Sequence, residues 1–181
     1  MGRVINQYFK RPNYFKIDGK PVFSIFSVNK LMESFGNNAE ETRNALDYFR
    51  DEVKKTGFPG LHIQYNQGGG SMLSDAAANQ LSTRIKTMGF DSVSMYNMGG
   101  MNEDYLVHGA NAIKIRERMD AVLDVPVFPT VSIGWDDTPR FPSKGMSHVV
   151  HYHNTPQSFA AFLSKAKLFW FTVNWTSTLF C

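Results

Sequence analysis

Apolar residues along this chain recur with two periods that take turns. In "PVFSIFSV" (21–28), β-branched and aromatic residues run together behind the turn signal "IDGKP", which predicts a strand. Over 38–55 the period lengthens: Ala45, Leu46, Phe49 and Val53 return every three or four residues, Asn38 stands at a cap position with Glu41 three residues on, and Gly57 follows the end. That is a helix with one buried face. "GLHIQYN" (60–66) predicts a second strand, and Ala77, Leu81, Ile85 and Met88 form the stripe of a second helix capped by Ser74. "DSVSMYN" (91–97) is a third strand, and Leu106, Ala110 and Ile113 open a long third helix. "VPVFPTVSI" (125–133) is a fourth strand. Thr155 and Pro156 start a fourth helix with Phe159, Phe162, Leu163 and Ala166 on one side, and "LFWFTVN" (168–174) reads as a fifth strand.

Strict alternation of strand and helix implies an α/β fold with a parallel sheet, because parallel neighbours need a helical crossover. Two architectures fit. One is a five-stranded doubly wound sheet; the other is a partial (β/α)8 TIM barrel, whose complete ring takes roughly 250 residues. The second is expected. The 181 residues start in mid-motif, with no obvious first strand, and finish on the apolar tail "TVNWTSTLFC". The expectation is therefore a single barrel domain over 1–181, incomplete at both ends.

In either architecture ligands gather at the carboxyl ends of parallel strands, where loops face a cavity. That edge carries Tyr65, Asn66 and Gln67 after the second strand and Tyr96 and Asn97 after the third. After the fourth, "SIGWDDTPR" delivers Trp135, Asp136, Asp137 and Arg140, side chains that a core does not hold. Aromatic faces beside amides, carboxylates and a guanidinium suit a sugar: flat platforms for the pyranose C–H face and polar groups for its hydroxyls. The nine residues are the candidate substrate-binding set, with Tyr65, Tyr96, Trp135, Asp136 and Arg140 expected to look into one hollow. The plainer alternative is an Asx-turn at Asp136 or Asp137 with Arg140 paired at the surface.

Composition narrows the partners. A formal charge of +3 with scattered basic residues gives no phosphate-neutralising stripe, and only Lys10, Arg11, Lys16 and Lys20 interleave with Tyr8, Phe9, Tyr14 and Phe15, so no nucleic-acid partner is expected. No apolar run reaches the ~18 residues of a membrane span. The start lacks the apolar region of a signal peptide, so no membrane partner is expected and the chain as written reads as cytoplasmic. The single cysteine, Cys181, excludes an internal disulfide or thiolate metal site. The glycine runs at 68–70 and 99–100 match neither GxGxxG nor a P-loop, so no cofactor is expected, although a nucleotide-binding doubly wound domain stays as an alternative. "HVVHYH" gathers His148, His151 and His153, with His151 and His153 on one face of a strand. No third ligand stands nearby in sequence, so the expected metal set is none and the histidines are expected to be satisfied within the fold. The sequence assigns no oligomeric state.

"YFKRPNYFKIDGKPVFSIFSV", "SIGWDDTPRF" and "NTPQSFAAFLSKA" together resemble the glycosyltransferase WbsX-like family, also described as glycoside hydrolase family 99-like domains, over about residues 8–167. The resemblance implies a (β/α)8 barrel acting on a glycan or oligosaccharide in polysaccharide metabolism, by glycosidic bond cleavage or transfer, with the strands here resembling barrel strands four to eight. In family 99 enzymes it implies retaining cleavage of α-mannosidic bonds by two glutamates, which the wider family carries in a W-N-E-W-x-E-G motif. Here "FTVNWTSTLFC" offers Asn174 and Trp175 and no carboxylate. The catalytic pair is thus unassigned, which implies a catalytically impaired fragment or a non-catalytic glycan-binding remnant; Asp136 and Arg140 are then substrate-positioning groups.

Overall fold

Asp18 and Gly19 both adopt positive φ (50° and 74°), the backbone that a two-residue hairpin demands, and join β1 (Lys16–Ile17) to β2 (Lys20–Ile25). The strands pair antiparallel, with Ile17 opposite Lys20. The computed structural model describes residues 1–67, 74–96, 103–134, 136, 138–140 and 150–172, with the backbone alone for 169–172. Ahead of the hairpin, a short helix α1 (Gly2–Val4) widens into a looser helical turn at Ile5–Phe9.

After the hairpin the helices are α2 (Val28–Glu33), α3 (Ala39–Lys54), α4 (Asp75–Met88), α5 (Tyr105–Val122) and α6 (Pro156–Thr172). Between them lie β3 (His62–Gln67), β4 (Ser92–Met95), β5 (Glu103–Asp104), β6 (Val127–Phe128) and β7 (His151–Tyr152). Strands and helices alternate in the main, with a short helix α2 ahead of α3 and two further short strands, β5 and β7, that the sequence did not signal. The capping signals act as read: Asn38 Oδ1 accepts from the amides of Glu40 and Glu41, Ser74 Oγ accepts from Ala77, and α4 stops at Gly89 in the left-handed conformation.

The main sheet runs β1-β2-β3-β4-β6, with β2, β3, β4 and β6 parallel, and curls into a half-barrel. Its order is sequential. Among the described residues no reversal occurs at which a doubly wound sheet would open its ligand crevice. β5 and β7 form a separate parallel pair that matches Glu103 with His151.

One continuous core joins the sheet to the helices. Ile63, Val93, Met95 and Val127 pack with Leu46, Phe49 and Val53 of α3, Leu81, Ile85 and Met88 of α4, and Ala112, Ile113 and Met119 of α5. At the N-terminal end of the strands, the largely buried Arg50 guanidinium donates to the carboxylates of Asp47 and Asp91 and to the carbonyl of Gly89. Asp91 Oδ2 also accepts from the amide of Ile63 at 2.8 Å, so a single carboxylate ties α3 to the sheet.

The structure corrects three expectations. Residues 168–172, expected to begin a fifth strand, continue α6 to Thr172: no glycine, proline or asparagine intervenes after Lys167 to stop the helix, and aromatic content alone does not make a strand. The fourth strand shrinks from 125–133 to Val127–Phe128, because Pro126 and Pro129 flank it and neither can donate to the ladder. Leu106 and Leu163, placed on buried helix faces, are about half exposed, while Tyr105 and His108 turn inward and Phe162 and Ala166 are buried as read. Of the basic-aromatic stretch, Phe9 and Tyr14 pack into or against the core. Tyr8 and Phe15 remain outside.

Candidate functional site

Partners in a parallel register point to the same side of the sheet, so the pairing Val22↔His62, Ser24↔Gln64, Gln64↔Ser92, Asn66↔Ser94 and Ser94↔Phe128 defines one face. It is the face turned away from Ile63, Val93, Met95 and Val127, and it is polar. His62 Nε2 meets Ser92 Oγ at 2.7 Å, Ser94 Oγ donates to Gln64 Oε1 at 3.1 Å, and the edge of Phe128 lies 6.3 Å from the His62 ring centroid to centroid. The signal was in the sequence. His62, Gln64 and Asn66 alternate with Ile63 and Tyr65, and Ser92 and Ser94 with Val93 and Met95.

Burial pushes the His62 imidazole below its ordinary pKa, against a smaller opposing pull from Asp91. The unfolded chain takes up that proton near pH 6.5, whereas the folded site takes it up only at lower pH. His62 therefore contributes stability that is present above about pH 6.5 and is lost as pH falls toward the depressed folded value. His62→Gln, which can still reach Ser92, is expected to flatten the loss of stability between pH 7.5 and 5.5 by up to about 1.4 kcal/mol per pH unit. Urea unfolding at the two pH values reads the difference. A variant as acid-sensitive as the parent would contradict this account.

At the carboxyl rim the structure separates the expected set. Asn66 lies on the polar face; its Oδ1 is shut off from solvent and has no hydrogen-bond partner among the described residues. Tyr96, just past β4, is 54% exposed, and its amide donates to the carbonyl of Gln67 at the end of β3. Its ring meets that of Phe26, 59% exposed just past β2, edge to face at 4.7 Å. The sequence reading missed Phe26. It has the same strand parity as Val22 and Ser24, which was the available clue.

Tyr65 is a correction. Being one residue from Asn66 on an extended strand, it faces the other way and packs edge-on against Phe90 at 5.4 Å, where burial pushes its phenol pKa up. It does not share a hollow with Tyr96. Gln67, of the same parity as Tyr65, pairs with Met95.

Asp136 takes the plainer reading: its Oδ1 accepts from the amide of Thr138 at 2.9 Å in an Asx-turn, and it bridges to Val150. Arg140 is exposed in the turn that follows. Asn97, Trp135, Asp137 and His148, together with the glycine runs, lie outside the described residues.

The remaining rim carboxylates are already engaged. Asp104 caps α5 through the Leu106 amide and holds exposed His153 Nδ1 at 2.8 Å; that contact, then the amide, lowers its carboxyl pKa. Glu103 sits against His108 and His151, both buried. Burial lowers the pKa of both imidazoles, with Glu103 opposing. His151 and His153 do not share a face: His153 turns outward at φ 59° while His151 packs inside.

The match of the chain to known proteins is specific at one level only. No curated protein and no solved structure matches it. The family model described as Glycosyltransferase WbsX matches residues 2–173. That span takes in the half-barrel, its polar face and its rim, and the chain therefore belongs to the carbohydrate-active Glycosyltransferase WbsX family.

Proposed function

We propose that the polar face of the half-barrel binds a glycan at its carboxyl rim, with the Phe26 and Tyr96 rings as the platform and Asn66 as a hydroxyl partner. The observation that carries this reading is the juxtaposition of an exposed aromatic pair with an amide oxygen that has no hydrogen-bond partner among the described residues. A sugar ring supplies both complements: C–H bonds for the rings and, once the Asn66 amide turns outward from its shielded position, hydroxyl donors for its oxygen. On this reading Asp136 and Arg140, exposed in the segment after β6, position the substrate's far end.

In this reading β2, β3, β4 and β6 correspond to consecutive strands of a (β/α)8 ring, and the family's glycosidic cleavage or transfer takes place over the same rim. The described rim carboxylates Glu103, Asp104 and Asp136 are each committed to local partners, whereas glycoside hydrolysis uses two carboxyl groups that face each other across the bond. Their assigned roles are therefore structural and positional, not acid and nucleophile. Among the described residues no helix is long and apolar enough to cross a membrane.

Titration calorimetry with α-mannan oligosaccharides, and with a β-glucan oligosaccharide for comparison, tests the binding reading. Tyr96→Ala is expected to weaken the tighter of the two by about tenfold, or about 1.4 kcal/mol, with Asn66→Ala similar. Both side chains lie outside the hydrophobic core, so circular dichroism should be unchanged. Binding indifferent to both substitutions would overturn the proposal.

A further inference from the structure

Parallel pairing of β5 with β7 places Glu103 beside His151, and the first turn of α5 brings His108 back over them. The three side chains offer ligand atoms that all lie within 4.8 Å of one another. His108 Nδ1 is 3.4 Å and His151 Nε2 4.0 Å from the same oxygen, Glu103 Oε1. The imidazole centroids are only 4.0 Å apart. Both rings are buried.

Two imidazoles share one carboxylate oxygen, and the other oxygen, Oε2, is taken by the amide of Asn111 at 3.2 Å. Two imidazoles and a carboxylate whose ligand atoms converge within one small volume are the donor set that a cation bridges, and a hydrogen bond to the carboxylate's other oxygen helps hold it in place. Aromatic rings flank the cluster: Tyr105 and Phe162 stand 5.9 and 6.2 Å from the His108 ring.

We infer that Glu103, His108 and His151 form a binding site for a divalent first-row transition metal, zinc above all. Zinc bonds of about 2.0–2.2 Å to nitrogen and oxygen place tetrahedral neighbours about 3.3–3.5 Å apart. The Glu103–His108 separation already fits, and His151 needs to close by about half an ångström. Two imidazoles and a carboxylate leave the fourth position for a water or a hydroxyl, the arrangement of open zinc sites. Hard cations such as magnesium or calcium, which prefer all-oxygen shells, are not matched by this donor set. Asn111 acts as the outer partner that orients the carboxylate.

This site lies on residues that the glycan reading does not use, and its test contains no sugar, so either reading can fail alone. The chelator-stripped full chain is titrated with zinc by calorimetry and with cobalt(II) by visible absorption, where intense d–d bands report a four-coordinate ion. One zinc per chain is expected. Glu103→Gln and His151→Asn are expected to weaken it at least tenfold, while His153→Ala, an exposed neighbour, changes affinity less than twofold. His108→Gln adds a third test; if it does not fold by circular dichroism, Glu103→Gln, on a partly exposed side chain, carries the result. Absence of saturable one-to-one binding would overturn the inference. So would affinity insensitive to Glu103→Gln and His151→Asn, or a loss equal in His153→Ala.

Discussion

Phe9→Ala is expected to lower the unfolding free energy by about 3–5 kcal/mol, the usual range for deleting a buried phenyl ring. The ring is fully buried and meets three others: Tyr14 at 5.1 Å, Phe49 at 6.2 Å and Phe23 at 6.3 Å. These come from the loop before β1, from α3 and from β2. Phe9 thus fastens the N-terminal helical segment to both layers of the fold, and its neighbours cannot collapse into the gap without moving the sheet. A domain stable by roughly 5–15 kcal/mol would lose a large share of its margin. Urea denaturation should show a lower midpoint with an unchanged slope. Phe9→Leu, which keeps most of the volume, should cost much less. An alanine variant within about 1 kcal/mol of the parent would mean that the cluster does not hold the segment in solution.

Gly134→Ala is expected to cost about 2–4 kcal/mol, combining backbone strain with a steric clash. Gly134 sits at φ 108°, a conformation L side chains rarely adopt. A Cβ there would lie 3.1 Å from the Cβ of His151 and 3.4 Å from its Nδ1, and carbon pairs are comfortable only near 3.5–4.0 Å. The nearest atom is the Cβ of His151, which is fixed to the β7 backbone, so the obstruction is not a side-chain tip that can swing away. The glycine of the "SIGWDD" signature is therefore explained by close approach. Thermal unfolding measures the cost, and the chemical shift of the His151 ring should move while that of His62, on the main sheet, stays in place. Unchanged melting would show that this approach relaxes freely.

Much of the fold was legible because period decides it. Leu46, Phe49 and Val53 and Leu81, Ile85 and Met88 are buried as their spacing predicts, and Asn38 and Ser74 cap where they stand. The "IDGKP" turn was visible too, although β1, only two residues long, gave no signal of its own. Leu106 misled because α5 buries residues around much of its circumference, Tyr105 and His108 included, and a broad buried face has no narrow stripe to read; on α6, Leu163 lies beside buried Phe162 but just off the inward face. Asn66 and Tyr96 stand at and just past the carboxyl ends of β3 and β4, where their sequence positions place them. Tyr65 failed by one position, since proximity in sequence on a strand means opposite faces. The grouping of Glu103 with His108 and His151 could not be read at all: it depends on a two-residue parallel pairing between segments far apart in the chain.

The alternation along β3 and β4 has a practical corollary for engineering. Because Gln64, Asn66 and Ser94 never share a contact layer with Ile63, Val93 and Met95, a combinatorial library at the former set could be screened for new ligand preferences with the packing residues held constant. Selectivity and folding are then separable traits of the same two strands, and recognition could drift in evolution, or be redirected at the bench, without renegotiating the architecture beneath it.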